Sequence, residues 1–227
     1  RIAQETLDIY APLANRLGIS WVKTELEDLS FQYLKPTEHR TLLEKVNKRR
    51  KEREQYIEDV VQLVETKLKE RNLQGRVSGR FKHLYSIYRK MKVQGIEFEQ
   101  VPDVIAFRLI MPSIPSCYEA LGLIHQLWKP VPGRFKDFIA IPKPNMYQSL
   151  HTTVIGPLSD RVEVQIRTEE MHKIAEEGIA AHWAYKEGKS IISKDDEKFA
   201  WLRQLMEWQQ DLKDPKEFLE TVKVDLF

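Results

Sequence analysis

Arg161-Val162-Glu163-Val164-Gln165-Ile166-Arg167 alternates charged or amide side chains with apolar β-branched ones. A period of two is a strand with unlike faces. Val162, Val164 and Ile166 fall on the side that packs; Arg161, Glu163, Gln165 and Arg167 fall on the side that presents polar chemistry. A half-buried surface strand would alternate in the same way. Working outward, Val101-Pro-Asp-Val-Ile-Ala-Phe-Arg-Leu-Ile-Met111 and Phe138-Ile-Ala-Ile141 are buried-strand candidates, with a helix expected over 118–128 between them. A helix over 169–185, stopped near Gly188, follows the alternating strand, and an amphipathic helix is expected at 195–212 before Asp214-Pro215. Strands interleaved with helices make 76–187 a mixed α/β unit.

Upstream, 1–72 read as helices. The first is closed by Gly18, the second runs through 25–31, and Pro36-Thr37 starts a third that continues to Arg71, roughly 50 Å long at 1.5 Å per residue. Its stretch 45–58 is nearly all charged or polar, with pairs such as Glu44 and Lys48 at four-residue spacing. It therefore reads as a solvated structural spacer.

The 227 residues are 42% hydrophobic, enough for one sizeable core or two small ones, with no apolar run of bilayer-spanning length. No signal peptide is visible. The single cysteine, Cys117, has no partner for an internal disulfide, so a reducing, cytoplasmic setting is expected. A net charge of +2 is too small to imply wholesale nucleic-acid binding, which directs attention to local clusters of cations.

Two clusters stand out. Gly133-Arg-Phe-Lys-Asp-Phe-Ile-Ala-Ile-Pro-Lys-Pro-Asn-Met-Tyr-Gln-Ser-Leu-His-Thr-Thr153 has the composition of a nucleotide site. Arg134, Lys136 and Lys143 are donors for phosphate oxygens, Tyr147 offers a flat face for a base, and Asn145 and His151 can fix hydroxyls or phosphates. Ser78-Gly-Arg-Phe-Lys-His-Leu-Tyr-Ser-Ile-Tyr-Arg-Lys-Met91 reads as a flexible glycine before a helix over 81–91. At 100° per residue Leu84, Ile87, Tyr88 and Met91 share one face, and Lys82, Ser86 and Arg89 share the opposite one with Lys90 at its edge. A glycine ahead of a basic helix start suits phosphate contact with Arg80, Lys82 and Lys90.

Two carboxylates accompany them. Asp103 stands at the entrance to an apolar strand and Glu163 on the polar face of another, an arrangement from which an open metal site can borrow ligands. Each also has a plain structural reading: Asp103 after Pro102 as a turn residue, and Glu163 as a partner of Arg161 or Arg167. Strict alternation from Asp103 would put Arg108 on the opposite face, so Asp103 is expected to precede the regular strand.

The segments Gly79-Arg-Phe-Lys-His-Leu-Tyr-Ser-Ile-Tyr-Arg-Lys-Met91, Pro132-Gly-Arg-Phe-Lys-Asp-Phe-Ile-Ala140, Pro144-Asn-Met-Tyr-Gln-Ser-Leu-His-Thr-Thr153, Val162-Glu-Val-Gln-Ile-Arg-Thr168 and Ala180-Ala-His-Trp-Ala-Tyr-Lys186 together resemble the synthetase domain of the long RelA/SpoT homologues. The resemblance runs through 76–188. Residues 1–20 resemble the last helix of that family's hydrolase domain, 21–75 a helical connector, and 189–227 a helix and linker toward regulatory domains, so the chain resembles an excised fragment. Arg134-Phe-Lys-Asp137 is similar to the basic variant of a family motif whose acidic counterpart occurs in synthesis-only members, which implies a bifunctional parent. No His-Asp pair occurs, so the family's hydrolase metal centre, and with it alarmone hydrolysis, is not expected here.

The resemblance implies an α+β fold, a nucleotidyltransferase-like mixed twisted sheet of about five strands flanked by helices and preceded by an all-helical segment. It implies transfer of the β,γ-pyrophosphate of ATP to the ribose 3′-hydroxyl of GDP or GTP, with Mg²⁺. Asp103 would hold Mg²⁺, and Glu163 would assist the metal and accept the hydroxyl proton. Arg80 and Arg108 would flank adenine, while Lys82, Ser86 and Lys90 would face the ATP phosphates. Tyr147 would stack on guanine with Lys136, Lys143, Asn145 and His151 around the acceptor nucleotide. Arg134, Asp137, Gln165 and Arg167 would support the site. The parent would associate with the ribosome through regions outside this chain, and neither membrane nor direct nucleic-acid binding is expected. Two other functions are compatible with the residues: a catalytically silent guanine-nucleotide sensor, and an RNA-binding domain using Tyr85, Tyr88 and Tyr147 as stacking platforms.

Overall fold

The computed structural model describes residues 1–101 and 104–178. Helix α1 (Ile2–Glu5) passes through a π-helical segment (Thr6–Tyr10) into α2 (Ala11–Arg16), and Gly18 at φ +75° turns the chain into α3 (Ser20–Leu34). Pro36 at the first turn starts α4 (Pro36–Glu52). The single long helix expected to Arg71 is in fact two, because Arg53, at φ −110° and ψ 4°, leaves the helical region and α5 (Glu54–Glu70) begins anew.

Nor is this pair of helices a solvated spacer. Val60, Val64 and Leu68 recur every four residues of α5 and are each 1% exposed. Burying each stabilises by about 1.5–3 kcal/mol, against a few tenths for an exposed pair such as Lys48–Glu52 at 3.9 Å. The apolar stripe therefore decides where α5 lies. Leu42 and Val46 of α4 are buried likewise, and Lys45 pairs with Glu99 at 3.1 Å.

The remainder is a mixed sheet. In chain order it runs β1 (Arg76–Phe81), α6 (Leu84–Gln94), β2 (Ile105–Met111), α7 (Ile114–Leu127), β3 (Lys129–Pro130), β4 (Lys136–Asp137), β5 (Leu150–Ile155), β6 (Arg161–Thr168) and α8 (Glu169–Glu177). Strand order among the described residues is β1-β2-β6-β5-β3 with β4 also paired to β5, six strands rather than about five, two of them only two residues long. Among the described residues only β2 and β6 pair in parallel. The parallel pair is the central one, and α7 is the first helix of its crossover. Ser113 and Thr168 cap α7 and α8, their hydroxyls accepting from Ser116 N at 3.3 Å and Met171 N at 3.2 Å.

Two local expectations fail for identifiable reasons. Residues 138–141 form a turn and not a strand: the Asp137 carboxylate accepts from the N–H groups of Ile139 at 3.0 Å and Ala140 at 2.9 Å, which bends the chain after β4. The basic helix starts at Leu84 and not at Phe81, so Arg80 lies in β1 and Lys82 in the connection. Gly79 is thus a strand residue, where a Cβ would collide with Ile57 of α5. Its glycine serves close helix-on-sheet approach, not a phosphate at a helix start.

The sheet separates two cores. On one face Val77, Phe107, Leu109, Leu150, Val154, Val162, Val164 and Ile166 pack with α5 and with Cys117, Ala120, Leu123 and Ile124 of α7. Beyond the edge strand β1, Phe31 of α3, Leu42 and Val46 of α4 and Ile87 of α6 form a second cluster with Phe98, Val101 and Val104. Between them the other sheet face stays open. The helix expected over 169–185 ends as α8 at Glu177, because Gly178 at φ +77° leaves the helical region; the helix expected at 195–212 lies outside the described residues, among which no helix is long and apolar enough to cross a membrane.

Candidate active site

Register assembles the open face. Arg80 of β1 stands opposite Ala106, and Ala106 in turn opposite Glu163; Arg108 stands opposite Gln165. On the other side of β6, Thr153 and His151 stand opposite Glu163 and Gln165, and Lys136 of β4 stands opposite His151. Registered neighbours share a face, so Arg80, Arg108, Glu163, Gln165, His151 and Lys136, drawn from five strands, meet on one surface. The alternating pattern of β6 holds up to Gln165. Arg167, expected on the presented face, is 2% exposed because α8 folds back over that end of the strand.

Two clefts cut this surface. The first, of about 690 Å³, is lined by Arg80, Lys82, Ser86, Lys90 and Arg108, which are all five residues expected around the donor nucleotide. Arg89 and Gln94 of α6 line it too. Arg80 donates to the His83 ring, which holds it across the mouth of the β1–α6 connection. The second, about 330 Å³, has Arg134, Lys136, Arg161, His151 and Glu163 in its walls. Lys90 and Gln94 line both clefts, so the two adjoin along α6.

The loop expected to hold the acceptor base is largely occupied with itself. Asn145 donates from Nδ2 to the carbonyl of Asn15 at 2.9 Å and accepts from Tyr147 N at 3.3 Å, so it ties the loop to the N-terminal helices and does not line either cleft. Lys143 lies over the rings of Phe138 at 4.7 Å and Tyr147 at 5.1 Å, and burial lowers its pKa, with Lys136 adding to the effect. Tyr147 is covered on that side, and its hydroxyl meets His151 Nε2 at 2.7 Å. Asp137 is a turn former whose second oxygen accepts from Tyr118 Oη at 2.9 Å. Tyr85 and Tyr88 pack on Phe31, the latter stacked at 4.4 Å, which removes them as platforms for RNA bases.

Glu163 is the electrostatic centre. Lys82 Nζ lies 2.7 Å from Oε2, Gln165 Nε2 donates to Oε1 at 2.9 Å, and His151 Nδ1 is 3.9 Å from Oε1. Burial alone would raise this carboxyl, but Lys82, Gln165 and His151 outweigh it and hold the group at about 2. Thus it is ionised at neutral pH. Asp103, its expected companion, lies outside the described residues, as do motif residues 180–186. Among the described residues no three His, Cys, Asp or Glu side chains cluster as a metal site. Mg²⁺ commonly binds through one or two carboxylates and substrate phosphates, so an ionised Glu163 beside a basic cleft is a donor set that fits it.

His151 is pushed down to about 4, chiefly by burial, with Glu163 opposing and Lys143, Arg167 and Lys136 reinforcing. Between its ordinary 6.5 and about 4 the unfolded chain binds a proton that the fold excludes, so stability falls as pH falls through that window. His151→Gln is expected to flatten the pH dependence of the melting temperature there. His125 and His172, also lowered, leave a residual slope. An unchanged slope would show that His151 does not titrate between the two states.

Sequence reasoning missed Glu176. Its carboxylate Oε1 lies 3.2 Å from Arg108 Nη1 and 3.2 Å from Arg167 Nη2, and His172 Nδ1 is 2.9 Å from the latter nitrogen. The one available signal was its four-residue spacing from His172.

The family model described as "Region found in RelA / SpoT proteins" matches residues 79–190. A GTP pyrophosphokinase of Myxococcus xanthus is 81% identical over the whole of this chain, which covers 30% of that protein. The bifunctional (p)ppGpp synthase/hydrolase SpoT of Escherichia coli (strain K12) is 50% identical, again over the whole chain and 32% of its own length. The chain thus spans about 30% of the length of these curated relatives. A crystal structure of the small alarmone synthetase 1 from Bacillus subtilis, bound to its product pppGpp, superposes with a TM-score of 0.49 at 22% identity, covering 71% of this chain and 89% of that one.

Proposed function

We propose that this chain, whose residues 79–190 match the RelA/SpoT region and which is 81% identical to part of a GTP pyrophosphokinase, is a RelA/SpoT-type synthetase that transfers the β,γ-pyrophosphate of ATP to the ribose 3′-hydroxyl of GDP or GTP. The observation that carries this reading is the pair of adjoining basic clefts, with Glu163 in the wall of the second paired to Lys82 of the first. ATP lies in the first, its purine between Arg80 and Arg108 and its phosphates toward Lys82, Ser86 and Lys90. The acceptor lies in the second, against Lys136 and His151, with Arg134 and Arg161 beside it. Tyr147 lines neither cleft, its ring being packed by Phe138, His151 and Lys143, so it reaches guanine only if this loop rearranges. Asn145 and Asp137 act by shaping the loop.

The 3′ oxygen attacks the β-phosphorus; that bond forms as the bond to the α,β-bridging oxygen breaks, and AMP leaves with the electron pair. The hydroxyl proton goes to Glu163. A carboxylate held at about 2 by Lys82 is a weak base. Phosphates that draw Lys82 toward themselves remove the largest of the contributions that lower it, so donor binding makes Glu163 a stronger base. Little covalent work remains for the protein beyond alignment and charge neutralisation. Mg²⁺, held by Asp103 and Glu163, would supply further neutralisation of the phosphate charge. The cytoplasmic setting and a ribosome association made by regions outside this chain belong to the same reading.

Incubating the chain with ATP, GDP and Mg²⁺ is expected to yield AMP and guanosine tetraphosphate in equal amounts. Binding of both nucleotides without AMP formation would leave the silent sensor instead.

A further inference from the structure

We propose that Glu176 is a positioning residue for Arg108, pinning that guanidinium at the wall of the first cleft so that its plane is set before a purine arrives. The inference rests on the reading of that cleft as the ATP site. Arg108 and Arg167 project from β2 and β6 to the same place, where they are 15% and 2% exposed, and α8 brings one carboxylate to both, each at 3.2 Å. Among the described residues Glu176 is the carboxylate within 4 Å of Arg108. Among the described residues the buried Nε atoms of both arginines have no hydrogen-bond partner, and the ion pairs to Glu176 hold each guanidinium by a terminal nitrogen.

The two arginines are not held equally. Arg167 has a second anchor in His172, one turn earlier on α8, at 2.9 Å. Arg108 has no corresponding second side-chain hydrogen bond or ion pair among the described residues, and it faces the open cleft. Neutralising Glu176 leaves Arg167 its His172 contact but leaves Arg108 repelled by Arg167 and without an ion-pair partner among the described residues, at a site where burial already works against the Arg108 charge. A guanidinium that must stack on a purine then loses its preset plane. Binding suffers on the donor side only.

Glu176→Gln is expected to weaken a non-hydrolysable ATP analogue, and to raise the KM for ATP, by about tenfold, since misplacing a positioning group by an ångström costs up to about 10². Affinity for GDP should stay within about twofold, the scatter of a distant, independent change. In a double-mutant cycle Glu176→Gln should add nothing to the loss already caused by Arg108→Ala, because it acts through that residue. Glu176→Asp, which keeps the charge but shortens the reach, should fall between and covers the case in which the Gln variant does not fold. Additive losses, or equal losses for ATP analogue and GDP, overturn the positioning role. Should Arg108→Ala weaken ATP while neither Glu176 variant does, the positioning role alone fails. Should Arg108→Ala itself spare ATP, the reading of the cleft fails first.

Discussion

Glu163→Gln is expected to lower the rate of pyrophosphate transfer by about 10²–10⁴, the usual cost of removing a general base, while GDP binding persists. The amide is close to isosteric. Its one oxygen can still accept from Lys82, which lies 2.7 Å from Oε2, and Gln165, 2.9 Å from Oε1, can turn its own amide oxygen to accept from the new NH2 group, so the walls of both clefts have reason to stay in place. What the variant cannot do is accept the proton of the 3′-hydroxyl. Initial rates of AMP release, with calorimetric GDP titration and a melting curve on the same sample, separate the three contributions. Near-normal AMP release would sink the assignment. A lower melting point with no selective loss of rate would instead make Glu163 a structural partner of Lys82.

Phe107→Ala should destabilise the fold by about 3–5 kcal/mol, the range for truncating a buried aromatic, out of a total of about 5–15 kcal/mol for an ordinary domain. Phe107 is 2% exposed at the centre of the core shared with α5 and α7. It stands opposite Gly79 in register, and the aromatic ring covers the surface that the glycine leaves bare. Truncation opens a cavity under the strand that carries Ala106 and Arg108 on its other face. Denaturant unfolding measures the loss. A cost below about 1 kcal/mol, typical of a surface position, would mean that the residue is not packed as described.

Much of the fold follows from short-range pattern. The alternation of 161–167 sets a strand with one polar face, and β6 carries that face as far as Gln165. Gly18 and Pro36 mark the helix ends they were expected to mark. The misreadings share a physical form, a side chain or helix from elsewhere overriding the local pattern. Apolar 138–141 had the composition of a strand, but the Asp137 carboxylate captures two of its N–H groups and bends it. The polar run in 45–58 hid the break at Arg53, since helix propensity is nearly flat among charged residues.

The residues of the candidate site divide in the same way. Their types and motif spacing were determined by the sequence: cations that match phosphate, one ionisable carboxylate on a polar strand face, and a loop rich in turn formers. Which of them share a cleft was decided only by the tertiary structure. Arg80, Arg108, Glu163, Gln165, His151 and Lys136 come from five strands, and only inter-strand register determines that they lie side by side. Asn145 and Asp137 look like ligand residues in the chain but are consumed by backbone partners in the fold. Glu176 looks like one of many helix carboxylates until α8 brings it against two buried arginines. Periodicity is a property of neighbours along the chain and is legible there. The compensation of a buried charge depends on which distant group arrives within a few ångströms, and that is settled when the sheet closes under α8.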